Sequence, residues 1–134
     1  RNVRRISMAV DAVILSDKDF ETVVKVTTTG TNTNASIVDA SNLEGAASNP
    51  RLSIVACQWT TGSQTNILFD ASSNDVALSL NGNGAYNTGA QSMPSIPNPA
   101  SSGVTGDILL TNGSASVGTI WLKLRKVSGY NNLA

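Results

Sequence analysis

The side chains that could do chemistry in this sequence are few, and the most telling one is missing. There is no histidine among the 134 residues, which removes a His-based triad, an imidazole base near neutral pH and an imidazole metal ligand. No Gly-x-Ser-x-Gly stretch offers a nucleophile elbow, and no serine has a histidine to activate it. Paired carboxylates remain as the acid/base option: Asp17 and Asp19 lie near one polar turn, Asp70 and Asp75 near another. Carboxylates in such places ordinarily shape turns or caps, because they bond their own backbone. Asp70-Ala71-Ser72-Ser73-Asn74-Asp75 alternates oxygen-bearing residues as a calcium loop would. It lacks the glycine at the sixth position and has Asn81 where the bidentate glutamate belongs, so a hairpin turn is the better account. Gly82 and Gly84 are not followed by the Lys-Ser/Thr pair or helix start that a phosphate loop needs. Cys57 is the single cysteine, so no intrachain disulfide forms, and its place in an apolar strand predicts an inert buried thiol. These residues lead to the expectation of no catalytic activity, no bound metal and no cofactor.

The elements that must position these residues are strands. Ser, Thr, Asn and Gly make up 55 of the 134 residues and Glu occurs twice; Asn, Ser and Gly compete with helical hydrogen bonding, and Thr is stiff at χ1. Hydrophobic residues still reach 40%, enough for a core and too many for a disordered tail. β-type runs fall at about Ile6 to Leu15, Phe20 to Thr29, Ser36 to Asp39, Leu52 to Thr60, Asn66 to Asp70, Val76 to Leu80, Asp107 to Thr111 and Val117 to Val127. Turn-forming clusters such as Thr61-Gly62-Ser63-Gln64 separate them. The spacing predicts one all-β domain over residues 1–134, an antiparallel β-sandwich or jelly roll of about eight strands. Ser41 and Glu44 have capping-box spacing, which predicts a short helical connection over 42–47 before Asn49-Pro50 stops it.

Alternation assigns faces, since side chains two apart along a strand share one. Ile120, Leu122 and Leu124 form an apolar row and are expected in the core with Ile54, Ile6, Val10, Val24 and Val26. Trp121, Lys123 and Arg125 then share the opposite face, an indole beside two cations. In the Leu52 to Thr60 run both faces are apolar, the mark of a central or covered strand.

Two further features point to contacts with other molecules. Residues 81–106 hold three of the four prolines, five of the eleven glycines and no charge, a composition that predicts an extended loop suited to lying on a protein surface. Charge is segregated: Arg1, Arg4 and Arg5 at one end and Lys123, Arg125 and Lys126 at the other leave 3 cations against 9 anions in residues 6–122, or −6. The overall balance of 9 basic and 9 acidic residues argues against sequence-independent binding to nucleic acid or anionic lipid. The expected contact residues are therefore Trp121, Lys123, Arg125, Arg4 and Arg5, with Tyr86, Pro94, Pro97 and Pro99 from the loop, in a homo-oligomer or lattice-bound subunit.

A charge-poor, His-free, Ser/Thr/Asn/Gly-rich β chain with a Pro-studded loop and a final strand VGTIWLKLRKV resembles the small virion structural proteins of tailed bacteriophages, above all capsid decoration or cement proteins. The resemblance implies a β module bound in many copies to the major capsid protein and to neighbouring copies of itself, on the virion surface, after assembly in the host cytoplasm. It implies no direct contact with nucleic acid or membrane. The alternative expectation is a glycan- or receptor-binding β-sandwich module of a tail fibre or adhesin, with Trp59, Tyr86, Trp121 and Tyr130 as the aromatics able to stack on sugar.

Overall fold

The computed structural model describes residues 4–6, 10–88, 93–112 and 117–131, with the side chains of 4–6 outside that description. Eight strands occur among these residues: β1 (Arg4–Ile6), β2 (Val10–Asp17), β3 (Glu21–Thr28), β4 (Asn32–Val38), β5 (Ala46–Phe69), β6 (Asp75–Tyr86), β7 (Ile108–Asn112) and β8 (Gly118–Tyr130). All neighbouring pairs are antiparallel, in the order β1-β2-β3-β8-β5-β7-β4, with β6 also on β5. The fold is all-β, as the composition and turn chemistry imply.

β5 organises the sheet. Its first half pairs with β8 and its second half with β7, while β6 runs along its other edge. The register jumps between Thr61 and Thr65 mark where the long strand bends, so the sheet curls and β2 comes within reach of β4. Thr61-Gly62-Ser63-Gln64 is therefore an irregularity inside one strand rather than the turn that its composition predicts. Paired neighbours on both flanks hold the backbone extended there, and a bulge absorbs the extra residues.

The core fills the inside of this curl. Val10, Ala12 and Ile14 of β2, Val24 and Val26 of β3, Ile120, Leu122 and Leu124 of β8, Leu52, Ile54, Ile67 and Phe69 of β5, and Ile108 and Leu110 of β7 form one buried cluster. Every residue of the expected core whose side chain is described lies in it; the Ile6 side chain lies outside the described residues. A second irregularity sits between Ile54 and Ala56, where β5 has one residue more than β8: Ile54 pairs with Leu124 and Ala56 with Lys123. Val55 is the extra residue, and inward parity passes from Leu52 and Ile54 to Cys57. That shift explains why the run is apolar on both faces.

Two connections differ from their sequence reading. The expected helix over 42–47 is only a 3-10 turn at Ala40–Asn42, capped by Asp39, whose Oδ1 accepts from the Ser41 amide at 3.1 Å. A carboxylate one residue before the turn captures the capping role that Ser41 was expected to fill. The expected loop over 81–106 begins late, because Asn81 to Tyr86 continue β6 and pair with the 57–61 part of β5. Gly84 permits this: a Cβ at that position would collide with the Trp59 ring at Cζ2, so the missing side chain makes room for the indole.

Candidate ligand-binding cleft

The outer face of β8 is the place where the sequence-predicted contact residues converge. Along this strand Ile120, Leu122 and Leu124 are buried while Trp121, Lys123, Arg125 and Val127 are exposed. Two walls rise beside it. One is the β2–β3 turn, Lys18 to Glu21, closed by the Lys18 amide donating to the Glu21 carbonyl at 2.9 Å. The other is the segment 93–97, which lies against β5 because Ile96 and Ile54 exchange two backbone hydrogen bonds of 2.9 and 2.7 Å.

Asn87 fastens that second wall. Its Nδ2 donates to the Val55 carbonyl and to the Met93 carbonyl, both at 2.9 Å, and its Oδ1 accepts from the Met93 amide at 2.9 Å. Val55 is the bulged residue of β5, so the side chain supplies a partner at the point of irregular pairing. Asn87 has φ 60°, a left-handed conformation that asparagine tolerates better than most residues. Tyr86 adds a hydrogen bond from its hydroxyl to the Pro94 carbonyl at 2.6 Å. The loop thus docks on its own sheet.

Between the walls lies a cleft of about 700 Å³ lined by Lys18, Asp19, Phe20, Glu21, Val55, Asn87, Met93, Ser95 and Arg125. This volume falls in the range of small-molecule sites. Its apolar surface comes from Phe20 and Met93, which are 56% and 51% exposed, and from the bulged Val55. Lys123 Nζ lies 3.6 Å from Glu21 Oε2, so these two charges largely answer each other. The Arg125 guanidinium makes no hydrogen bond or ion pair among the described residues. The cleft and its border hold three cations, Lys18, Lys123 and Arg125, against Asp19 and Glu21.

Beneath the β2–β3 wall is a buried ion pair. Lys126 Nζ sits 2.8 Å from Asp17 Oδ1, both side chains fully buried, and donates to the carbonyls of Lys18 at 2.6 Å and Glu44 at 2.7 Å. All three ammonium protons have acceptors. Asp17 also accepts from the Thr22 hydroxyl at 3.0 Å and the Glu44 amide at 2.7 Å. Burial alone pushes the Asp17 carboxyl up, but the hydrogen bonds from Lys126, Glu44 and Thr22, with the Lys126 charge, outweigh it and hold the pKa below the ordinary value. The Tyr130 ring lies 5.1 Å from the ammonium, and its hydroxyl donates to the Ala40 carbonyl at 2.9 Å.

The expected contact residues separate accordingly. Trp121, Lys123 and Arg125 share the outer face, Tyr86 and Pro94 brace the loop wall, and Pro97 lines an adjoining hollow with Phe20, Ser53 and Arg125. Pro99 is exposed and lines neither. Arg4 and Arg5 lie on β1 at register positions opposite Val13 and Ala12, three strands from β8; their side chains lie outside the described residues. Among the aromatics, Trp59 is half-buried, Tyr130 is buried and Trp121 is 38% exposed. Cys57 is buried, and desolvation pushes its thiol up to about 12, in keeping with an unreactive sulfur. Asp70 and Asn74 act in the turn after β5: Asp70 accepts from the Thr105 hydroxyl at 2.6 Å, and Asn74 Oδ1 from the Ala71 amide at 3.0 Å.

Sequence reading missed Phe20, Val55, Asn87, Met93 and the Asp17–Lys126 pair. The pair did carry a signal, because Lys126 continues the inward parity of Ile120, Leu122 and Leu124. Asn87 and Met93 carried none, since their roles depend on where the loop docks.

No protein-family model matches the chain, and no curated protein matches it. Solved structures of Streptomyces Pac13 do match, among them one described as a unique nucleoside dehydratase and another holding uridine. Each is 10% identical, with 98% of this chain and 88% of that chain covered, at a TM-score of 0.34. This finding corrects two expectations: the structures found are of an enzyme and not of a virion protein, so the capsid-decoration function with its glycan-binding alternative, and the assignment as a non-enzyme, are withdrawn. At that identity and TM-score the likeness carries neither a substrate nor an activity to this chain.

Proposed function

We propose that this chain binds a small amphipathic anion in the cleft above the Val55 bulge. The observation that carries the reading is Arg125, a guanidinium without a partner among the described residues, beside apolar surface from Phe20, Val55 and Met93. An exposed phenylalanine and methionine lining one cleft leave apolar area that a ligand body would cover. Arg125 presents a planar fork of donors that suits a carboxylate, and an ion-assisted hydrogen bond of this kind contributes about 1.5 to 3 kcal/mol. Ser95 adds a polar group at the rim, and pockets of this kind use a few such groups to orient what they bind.

Calorimetric titration with octanoate tests the reading. Saturable binding is expected, weakened about 10- to 100-fold by Arg125→Ser, as loss of one such bond implies, and weaker for the uncharged octanol. An absence of saturable heat, or an Arg125→Ser variant that binds octanoate like the parent, overturns it.

A further inference from the structure

We infer that the occupant of this cleft is a medium-chain alkyl monocarboxylate, its head at Arg125 and its tail running along the outer face of β8 towards Trp121; this rests on the reading above. The observation is a second hollow of about 200 Å³ lined by Val23, Ala56, Cys57, Gln58, Thr88, Trp121, Leu122 and Lys123. It adjoins the first along four segments: Val55 leads to Ala56, Asn87 to Thr88, Glu21 to Val23 and Arg125 to Lys123. The ladder places these in successive rows, Glu21 with Arg125 and Ser53, then Val23 with Lys123 and Ala56, then Lys25 with Trp121 and Gln58.

The chemistry changes along this path. Around Arg125 the walls are mixed, with Lys18, Asp19, Asn87 and Ser95. Towards Trp121 the walls present almost nothing but carbon. A peptide or a sugar laid there would leave its amides or hydroxyls without partners, which costs free energy for each such group. A polymethylene chain has no such groups. The hollow towards Val127 fits a tail less well, because Ser53, Ser95 and Lys126 line it.

Length and charge narrow the occupant further. Arg125 and Trp121 are four residues apart on one strand, about 13 Å at the rise of an extended chain. At roughly 1.2 Å of advance per backbone bond in an extended chain, that distance takes about eleven bonds, which a chain of about ten to twelve carbons spans. Three cations against two anions leave a surplus of one positive charge, which suits a singly charged head and not a dianion.

The test is a titration series from butyrate through hexanoate, octanoate and decanoate to dodecanoate, below micelle formation. Affinity should rise about four-fold per added methylene as far as decanoate and then level off. Trp121→Ala should weaken decanoate at least ten-fold and leave butyrate unchanged. In a Trp59→Phe background, where Trp121 is the remaining indole, decanoate should shift the emission to the blue and butyrate should not. Equal affinity along the series, with Arg125→Ser still weakening every member, overturns the tail path and leaves the cleft reading standing. Failure of every member to bind overturns both. Decyl phosphate binding more tightly than decanoate at a pH where it is doubly charged overturns the choice of head group.

Discussion

Arg125 and Lys126 are adjacent in sequence and carry the same charge, yet they sit in opposite environments. Lys126 points inward, fully buried, with Asp17 and two carbonyls as acceptors. Arg125 points outward into a cleft, and its guanidinium has no partner among the described residues. Strand parity alone separates them. The difference teaches that a cluster of cations at a strand end is not one feature: one member ties the β2–β3 turn to β8 and the Leu43–Gly45 segment, and its neighbour is left available to a ligand.

Removing the inward cation should have the largest effect. Lys126→Ala leaves the Asp17 carboxylate buried without its counter-charge, and loss of one partner of such a pair costs about 3 to 5 kcal/mol. Lys126→Met fills the space without the charge and is also expected to destabilise, because Asp17 remains. Urea unfolding measures both. If Lys126→Ala unfolds at the parent's urea midpoint, Lys126 is not the buried partner described. Leu122→Ala, which cuts into the inner row beside it, should cost about 2 to 5 kcal/mol by the same measurement.

Acid probes the same pair without a substitution. The native Asp17 pKa lies below its ordinary value of 3.8, so as pH falls the unfolded chain takes up the proton first. The contribution of this group is complete above about pH 5 and is lost as pH drops through the native pKa. Urea midpoints measured from pH 6 to pH 2.5 should fall in the acid range, and Asp17→Asn should fall less steeply. Identical pH slopes would mean that the pair is not coupled to folding.

Much of this arrangement was legible beforehand, because strand patterns are local. Alternation over Ile120 to Arg125 assigned both faces of β8 correctly, and extending it one more step would have placed Lys126 inside. What the sequence did not show depends on distant neighbours. Thr61 to Gln64 has the composition of a turn but continues β5, because Thr61 is paired to β6 and β8 and Thr65 after it to β6 and β7. Asn81 to Gly84 reads as the start of the long loop but is strand, since Gly84 makes room for Trp59. The cleft is the extreme case: Phe20, Val55, Met93 and Arg125 come from four separate segments, and the Val55 bulge and the Asn87 clamp that bring them together have no periodic signature.

Smaller effects mark the outer side of the comparison. Arg125→Ser should change stability by no more than about 0.5 kcal/mol, as expected for an exposed residue without partners, while weakening octanoate binding. Cys57, with its thiol pushed up to about 12, should react with a water-soluble disulfide reagent at pH 8 only as fast as the protein opens. Rapid labelling of the folded chain would show that the inner side of β5 is accessible.

The most direct test of the account is the map of amide shifts when octanoate is titrated into labelled protein. The account predicts saturating shifts concentrated at Phe20, Val55, Asn87, Met93 and Arg125 and running on to Lys123, with the core amides of Ile67 and Leu110 little changed and the whole pattern moved to about 10- to 100-fold higher octanoate in Arg125→Ser. Shifts scattered over the surface, or a pattern that saturates at the same octanoate concentration in Arg125→Ser, would contradict it.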